Sequence, residues 1–295
     1  MIAPEQFLQL VLAGLTQGAI YALIALGFVT IYNVTGIINF AQGEFAMLGA
    51  MFLVSLVPLG LPLPAAFFAS VGGVVVVGGV IERLAIHPAR SASLVTLIII
   101  TIGVDIVLRG LVLLVWGTDP LPMAPFSPGA PLAVGGAVIT RQALWILGTT
   151  AGTLALLYAF FEFTYLGKAV RACAINRLSA RLSGIRPDRM SLLAFCLSAG
   201  LGAVGGIVMA PLTLVSYDMG LYLGLRGFVA AIMGGFVSAP GAVAGAVLLG
   251  VLESLSAGIL RAAYKEAIAF LVLFLILLLR PQGLFTRAVG LRAGL

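Results

Sequence analysis

Long apolar segments alternate with short polar ones along almost the whole chain. A membrane-spanning helix needs about 20 mainly apolar residues. Spans of this kind are predicted at 7–31, 40–57, 64–81, 94–116, 142–163 and 192–214, with shorter apolar segments at 223–237, 242–255 and 267–279. The expected fold class is therefore all-α integral membrane, a polytopic helical bundle of about 8–10 membrane segments.

The last third of this pattern contains a break. Pro240-Gly241 separates two apolar segments that are each short for a complete crossing. Irregular backbone is tolerated at membrane depth only where protein or a water-filled cavity surrounds it. We therefore predict a discontinuous or re-entrant segment near 223–257. Close packing of helices is indicated by three pairs of glycines four residues apart: Gly14/Gly18, Gly202/Gly206 and Gly241/Gly245.

The composition excludes a soluble fold. The chain is 62% hydrophobic and 9% charged, whereas a soluble domain typically carries about 25% charged residues. Residues 1–295 are expected to form a single transmembrane domain. No basic region precedes the first apolar run and no small-residue cleavage site follows it, so no cleaved signal peptide is expected.

Basic residues predict the orientation. The net charge is +6, and the largest basic cluster lies at 165–190. Loops rich in Lys and Arg stay on the cytoplasmic side, which places 165–190 and the 82–92 loop inside. The proline-rich segment 117–140 is then periplasmic. Arg280, Arg287 and Arg292 predict a cytoplasmic C-terminus, and the N-terminus, which lacks bases, is predicted to be periplasmic.

Side chains suited to catalysis are scarce. The single histidine, His87, and the distant Cys173 and Cys196 do not form a zinc-site pattern. The Gly167-Lys168 pair lacks the upstream glycine and the following Ser or Thr of a phosphate-binding loop. We therefore expect no enzyme, no metal site and no cofactor on this chain, and any nucleotide hydrolysis belongs to a partner.

Polar groups within apolar segments are costly, so each is a candidate functional group. Asp105 and Arg109 are four residues apart and predict an intramembrane ion pair. Glu253 faces either the bundle interior or the outer interface. A candidate translocation pathway comprises four polar residues: Asn33, Asn39, Gln42 and Glu44. They belong either to an ordinary loop or to a helix break that faces a cavity.

Several motifs, in order, resemble the inner-membrane permeases of branched-chain amino-acid ABC importers. They are Gly18 to Gly27, Gly36-Ile37-Ile38-Asn39-Phe40-Ala41-Gln42-Gly43-Glu44, Glu82-Arg83-Leu84-Ala85 with His87-Pro88-Ala89-Arg90-Ser91, Arg171-Ala172-Cys173-Ala174 with Leu182-Ser183-Gly184-Ile185, Ala230-Ala231-Ile232-Met233-Gly234-Gly235 with Pro240-Gly241-Ala242, and Arg280-Pro281-Gln282-Gly283-Leu284-Phe285. These matches are distributed in order between residues 18 and 285.

This resemblance implies a bacterial inner-membrane subunit that forms a pathway for branched-chain or other hydrophobic amino acids. The implied partners are a second permease (a related chain or a second copy), two cytoplasmic ATPase subunits that carry ATP and Mg, and a periplasmic binding protein. A permease for urea, short amides or another small polar solute is the alternative within this class. A stand-alone secondary transporter predicts inverted repeats, and no clear repeat is visible between the halves of the chain.

The basic loop at 165–190 is the predicted coupling loop. Leu178, Leu182 and Ile185 are spaced i, i+4 and i+7, which predicts one apolar face of a docking helix. The resemblance implies that 180–184 couples to the ATPase, although Leu178 stands where such loops usually carry Glu. The candidate coupling residues are Arg171, Leu178, Ala180, Leu182, Gly184 and Ile185.

Overall fold

The computed structural model describes residues 4–259, 265–280 and 282–285, and helices dominate this part of the chain. The α-helices are α1 (Pro4–Thr35), α2 (Gln42–Leu56), α3 (Leu63–Ile81), α4 (Leu94–Trp116), α5 (Arg141–Phe163), α6 (Tyr165–Ile175), α7 (Arg177–Leu182), α8 (Pro187–Met209), α9 (Met219–Gly234), α10 (Ala239–Ile259) and α11 (Lys265–Leu279). A π-helical turn (Glu82–Ile86) extends α3, and a 3₁₀ turn (Ala210–Leu212) extends α8. Strands β1 (Leu132–Val134) and β2 (Ala137–Ile139) form a small antiparallel hairpin.

The predicted class is confirmed. Six helices in the described residues are long and apolar enough to cross a membrane, and three shorter apolar helices accompany them. The total agrees with the predicted 8–10 segments. The shorter ones lie in α2, α9 and α11, and at about 1.5 Å per residue α2 and α9 reach only about 22–24 Å of the roughly 30 Å hydrocarbon core.

Helix α1 is the centre of the bundle. Every residue from Gly18 to Ile31 is buried, because α5, α8, α9 and α10 all pack around this helix. A helix that is apolar on all sides is expected in such a position. Helices α4 and α5 have few buried residues, as lipid-facing helices do.

The three glycine pairs lie at close contacts between helices, as predicted. A Cβ atom on Gly14 would lie 2.6 Å from the Val251 Cα of α10, and one on Gly202 would lie 2.8 Å from the Phe45 Cβ of α2. A Cβ on Gly245 would lie 2.6 Å from the Gly234 amide nitrogen of α9. These positions let helix backbones touch, which is how small residues stabilise helix pairs in membranes.

The first short helix, α2, begins deep in the bundle. Residues 36–41 are irregular, and Gln42 then hydrogen-bonds to Ser198, which is in the middle of α8. Gly27, in the inner part of α1, packs against the same Gln42 side chain. The segment is therefore a helix break within the bundle rather than a surface loop.

The break in the last third of the chain lies at a different position from the predicted one at Pro240-Gly241. Helix α9 ends at Gly234, and Gly235 has φ +101°, so the turn lies at 235–238. Pro240 and Gly241 belong to the first turn of α10 instead of separating two segments. Proline is tolerated there because the first-turn amides of a helix have no intrahelical acceptor. Helix α10, with 21 residues, is long enough to cross, and of the two helices at this turn α9 alone is short.

The two ends of the bundle are distinct. The β1–β2 hairpin lies against the start of α1, where the Gln9 amide bonds both backbone groups of Val138. The opposite end carries α6 and α7, and there Arg90 of the 82–92 loop pairs with Asp188 at 2.8 Å. Leu284 reaches the same end, because its amide donates to the Met233 carbonyl near the end of α9. Arg287 and Arg292 lie outside the described residues.

We predict that Gly18→Ala destabilises the protein, whereas Gly152→Ala does not. A Cβ at Gly18 meets the α10 backbone, with the Val247 Cα atom 2.8 Å away, and a Cβ at Gly152 on α5 meets no atom within 4 Å. Overpacking against backbone costs about 1–3 kcal/mol. Thermal unfolding of both detergent-solubilised variants measures this difference, and equal midpoints would contradict the packing of α1 on α10.

Candidate functional site

The N-terminal turns of the two short helices, α2 and α9, meet inside the bundle. A Cβ on Gly43 would lie 2.7 Å from the Gly224 amide nitrogen, so the two backbones are in contact there. A Cβ on Gly220 would lie 2.7 Å from the Glu44 carboxyl carbon. Glycine at these positions brings a carboxylate of α2 against the first turn of α9.

Glu44, Asp105 and Arg109 form one group, the Arg109 cluster. Arg109 Nη2 lies 2.8 Å from Asp105 Oδ2 and 3.4 Å from Glu44 Oε1. The ion pair predicted from the i, i+4 spacing is present, and Glu44 joins it from another helix. The Glu44 side chain is fully buried and that of Arg109 is 25% exposed. Within the described residues, Glu44 Oε2 and Arg109 Nε have no hydrogen-bond partner.

Tyr21, Arg226 and Glu253 form a second group, the Arg226 cluster. The Tyr21 hydroxyl donates to Glu253 Oε2 at 2.8 Å, and Arg226 Nε lies 3.5 Å from Glu253 Oε1. The Arg226 guanidinium carbon is 6.0 Å from the centre of the Tyr21 ring. Glu253 thus faces the bundle interior. Sequence reasoning missed Tyr21 and Arg226, although an arginine inside the apolar run 223–237 was the available signal.

The other candidate pathway residues occupy different places. Gln42 is buried, where its Nε2 donates to the Ser198 carbonyl at 3.1 Å. Asn39 is also buried, and its Oδ1 accepts from the Ala41 amide at 3.3 Å. Both side chains therefore satisfy backbone at or near the α2 break. Asn33 donates to the Val237 carbonyl at 3.1 Å and lines a separate cavity of about 560 Å³ between α1, α5, α6 and α10.

Helix α7 of the basic loop is capped at both ends. Asn176 caps α7 by accepting from the Ser179 amide at 3.0 Å. At the other end Gly184 has φ +84°, and the Ile185 amide donates to the Ala180 carbonyl at 3.0 Å. This is the Schellman arrangement that ends a helix at a glycine.

The predicted three-residue face on this loop is therefore wrong for Ile185. Helix α7 ends at Leu182, so Ile185 lies beyond it and packs with Ala180 instead of extending the face. Leu178 and Leu182 remain together, 68% and 82% exposed. Two leucines this exposed on a basic loop form an apolar surface that the described part of the chain leaves uncovered.

Helix α6 ties this surface to the membrane part of the molecule. Arg171 donates to Glu162 Oε2 at 2.8 Å and also to the Phe161 carbonyl at the end of α5. Cys173 is buried between the loop helices and the start of α8. Burial raises the pKa of the Cys173 thiol, although Arg177 acts in the opposite direction. The contacts that Arg171 makes with Phe161 and Glu162 link a movement of the loop to α5.

The comparisons with known proteins agree with this architecture. Residues 10–277 match the family described as branched-chain amino acid transport system / permease component. The permease LivH of the high-affinity branched-chain amino acid transport system of Escherichia coli K12 is 35% identical over 95% of this chain and 96% of its own. BraD of the corresponding system in Pseudomonas aeruginosa is 33% identical over 95% of this chain and 96% of its own.

Among solved structures, PsaBC from Streptococcus pneumoniae in complex with Fab is similar in fold. The TM-score is 0.50 at 12% sequence identity, and the match covers 94% of this chain and 92% of the other. At that identity the likeness concerns the fold alone. The family model and the two relatives each span nearly the whole chain, and the chain belongs to the family of permease components of branched-chain amino acid transport systems.

Proposed function

We propose that this chain forms the translocation pathway of an ATP-driven importer for branched-chain or other hydrophobic amino acids. The observation that carries the proposal is the full-length similarity to LivH and BraD, which are named as permeases of high-affinity branched-chain amino acid systems. The absence of a nucleotide-binding motif in the sequence fits a subunit that draws its energy from a partner.

The proposed orientation follows from charge. The end of the bundle that carries α6, α7 and Arg90 is rich in bases, so we place it in the cytoplasm. The β1–β2 hairpin and the start of α1 are then periplasmic, and the described C-terminal residues are cytoplasmic. A periplasmic binding protein would deliver the amino acid at the hairpin end.

The proposed partners are a second permease subunit and two cytoplasmic ATPase subunits, which would carry ATP and Mg. The exposed Leu178 and Leu182 of α7 supply an apolar anchor for an ATPase, and the neighbouring arginines suit acidic groups around it. Exposed ion pairs contribute only about 0–1 kcal/mol each. Burial of a leucine side chain contributes about 1.5–3 kcal/mol, so the leucines are expected to dominate.

Purification of the tagged chain from native membranes in mild detergent, followed by mass spectrometry, tests this assembly. We expect a P-loop ATPase and a related permease to follow the chain. A chain that is recovered alone, and that moves solute alone in liposomes, would instead support a secondary transporter.

We predict that Leu178→Ser/Leu182→Ser weakens ATPase binding by about tenfold or more, since about 1.4 kcal/mol of lost binding free energy corresponds to a factor of ten. Leu59→Ser is the matched control, because Leu59 is 74% exposed at the opposite end of the bundle. ATPase retained on the purified permease is the measurement. Equal retention in both variants would rule out α7 as the anchor.

We also predict that Gly184→Trp uncouples uptake from ATP hydrolysis while the protein remains inserted. A side chain at φ +84° is strained, and the end of α7 must rearrange. Gly184→Asn is the control, since asparagine tolerates this backbone conformation better than other residues. ATPase stimulation and uptake are measured together, and normal values for the Trp variant would contradict the role of this turn.

A further inference from the structure

The exposed side of the short helix α9 is unlike the lipid-facing sides of the other helices. Leu221 and Leu225 are 39% and 40% exposed, and Tyr222 beside them is 51% exposed. One charged cluster lies on each flank of this stripe, and the Arg109 and Arg226 side chains are each 25% exposed. We call the stripe and its two flanks the α9 face.

Small cavities lie at both flanks. A cavity of about 120 Å³ is lined by Asp105, Gly220 and Phe228 among others, and one of about 100 Å³ is lined by Arg226 and Glu253. Leu225 contributes to the walls of both, so the cavities lie at the same level on either side of it. The rings of Phe28 and Phe228, whose centres are 5.6 Å apart, bound the first cavity.

Contact with lipid does not suit this face. Partly exposed guanidinium and carboxylate groups in the middle of membrane helices are costly against hydrocarbon, and they normally face protein or water. The other side of α4 shows the contrast, because Val107 and Leu114 are 59% and 83% exposed there and both are apolar. In the described spans the charged side chains away from helix ends, Asp105, Arg109, Arg226 and Glu253, lie beside α9 instead.

Unsatisfied groups in the Arg109 cluster point in the same direction. Glu44 Oε2 and Arg109 Nε lack hydrogen-bond partners within the described residues, although both atoms are buried. Buried polar atoms normally have a protein or water partner. Asp105 of this cluster lines the small cavity beside α9, so water in that cavity would contact the cluster.

We propose that the α9 face lines the water-filled pathway of the transported solute, with the second permease subunit as the opposite wall. This inference rests on the proposed function. A zwitterionic amino acid fits the face chemically: the leucine stripe suits its apolar side chain, and the arginine–carboxylate clusters suit its charged ends. The chain thus contributes one half of a polar route through the membrane.

Water access is the test. In a background with Cys173→Ala and Cys196→Ala, cysteines are introduced singly as Leu225→Cys, Leu221→Cys and Val107→Cys, and the chain is kept in membrane vesicles with its co-expressed partners. The reagent is a sulfonated methanethiosulfonate, which reacts with the thiolate and therefore requires hydration. Val107→Cys is the control, on the apolar side of α4 two residues from Asp105.

We expect Leu225→Cys and Leu221→Cys to react about tenfold faster or more than Val107→Cys, because thiolates form only where water reaches them. Equal rates at all three positions would overturn the proposal, whether all are fast or all are slow. Leucine uptake by the same vesicles, measured separately, reports the proposed function. Intact uptake with an unreactive Leu225→Cys would reject the α9 pathway and leave the importer function standing.

Discussion

The contact between the N-terminal turns of α2 and α9 is the constraint on which the rest of the structure depends. Both helices are shorter than a bilayer core, and they meet where Gly43 and Gly220 allow no side chain between them. Helix ends and irregular backbone are costly at membrane depth unless protein surrounds them. The enclosure by α1 and α8 supplies that protein, and it also explains why α1 is buried along most of its length.

The same contact organises the charges. Because Gly220 has no side chain, Glu44 can lie against α9. From that position its carboxylate reaches Arg109, which also pairs with Asp105. One guanidinium between two carboxylates is energetically costly inside a membrane, and its presence favours a functional role over a structural one. A bundle that needed only stability would fill this space with apolar side chains.

The sequence predicted the fold class, most of the spans and the three glycine contacts, because span length, hydropathy and small-residue spacing are local properties. It also predicted the ion pair of Asp105 and Arg109, which lie on one helix face. It did not predict that Glu44 joins them, since that contact links α2 with α4. Nor did it identify the cluster of Tyr21, Arg226 and Glu253, whose members come from three helices.

Local backbone geometry explains the remaining differences. Pro240 looked like a helix breaker, but the actual turn is made by Gly235 at φ +101°, and proline then starts the next helix. In the basic loop, the apolar spacing suggested a helix through Ile185, whereas Gly184 ends it at Leu182. In both places a glycine with positive φ ends the helix. The spacing of apolar residues carries no information about φ, so it could not predict these ends.

The division of labour between this chain and its partners is the central claim, and transport by the purified complex tests it most directly. Proteoliposomes containing the chain and its co-purified partners are supplied with radiolabelled leucine, a loaded binding protein on the hairpin side and ATP on the basic side. We expect leucine to accumulate only when the co-purified partners, the loaded binding protein and ATP are all present, and to stop accumulating when ATP is withheld. Accumulation of leucine by the chain alone, driven by a proton or sodium gradient without ATP, would contradict it.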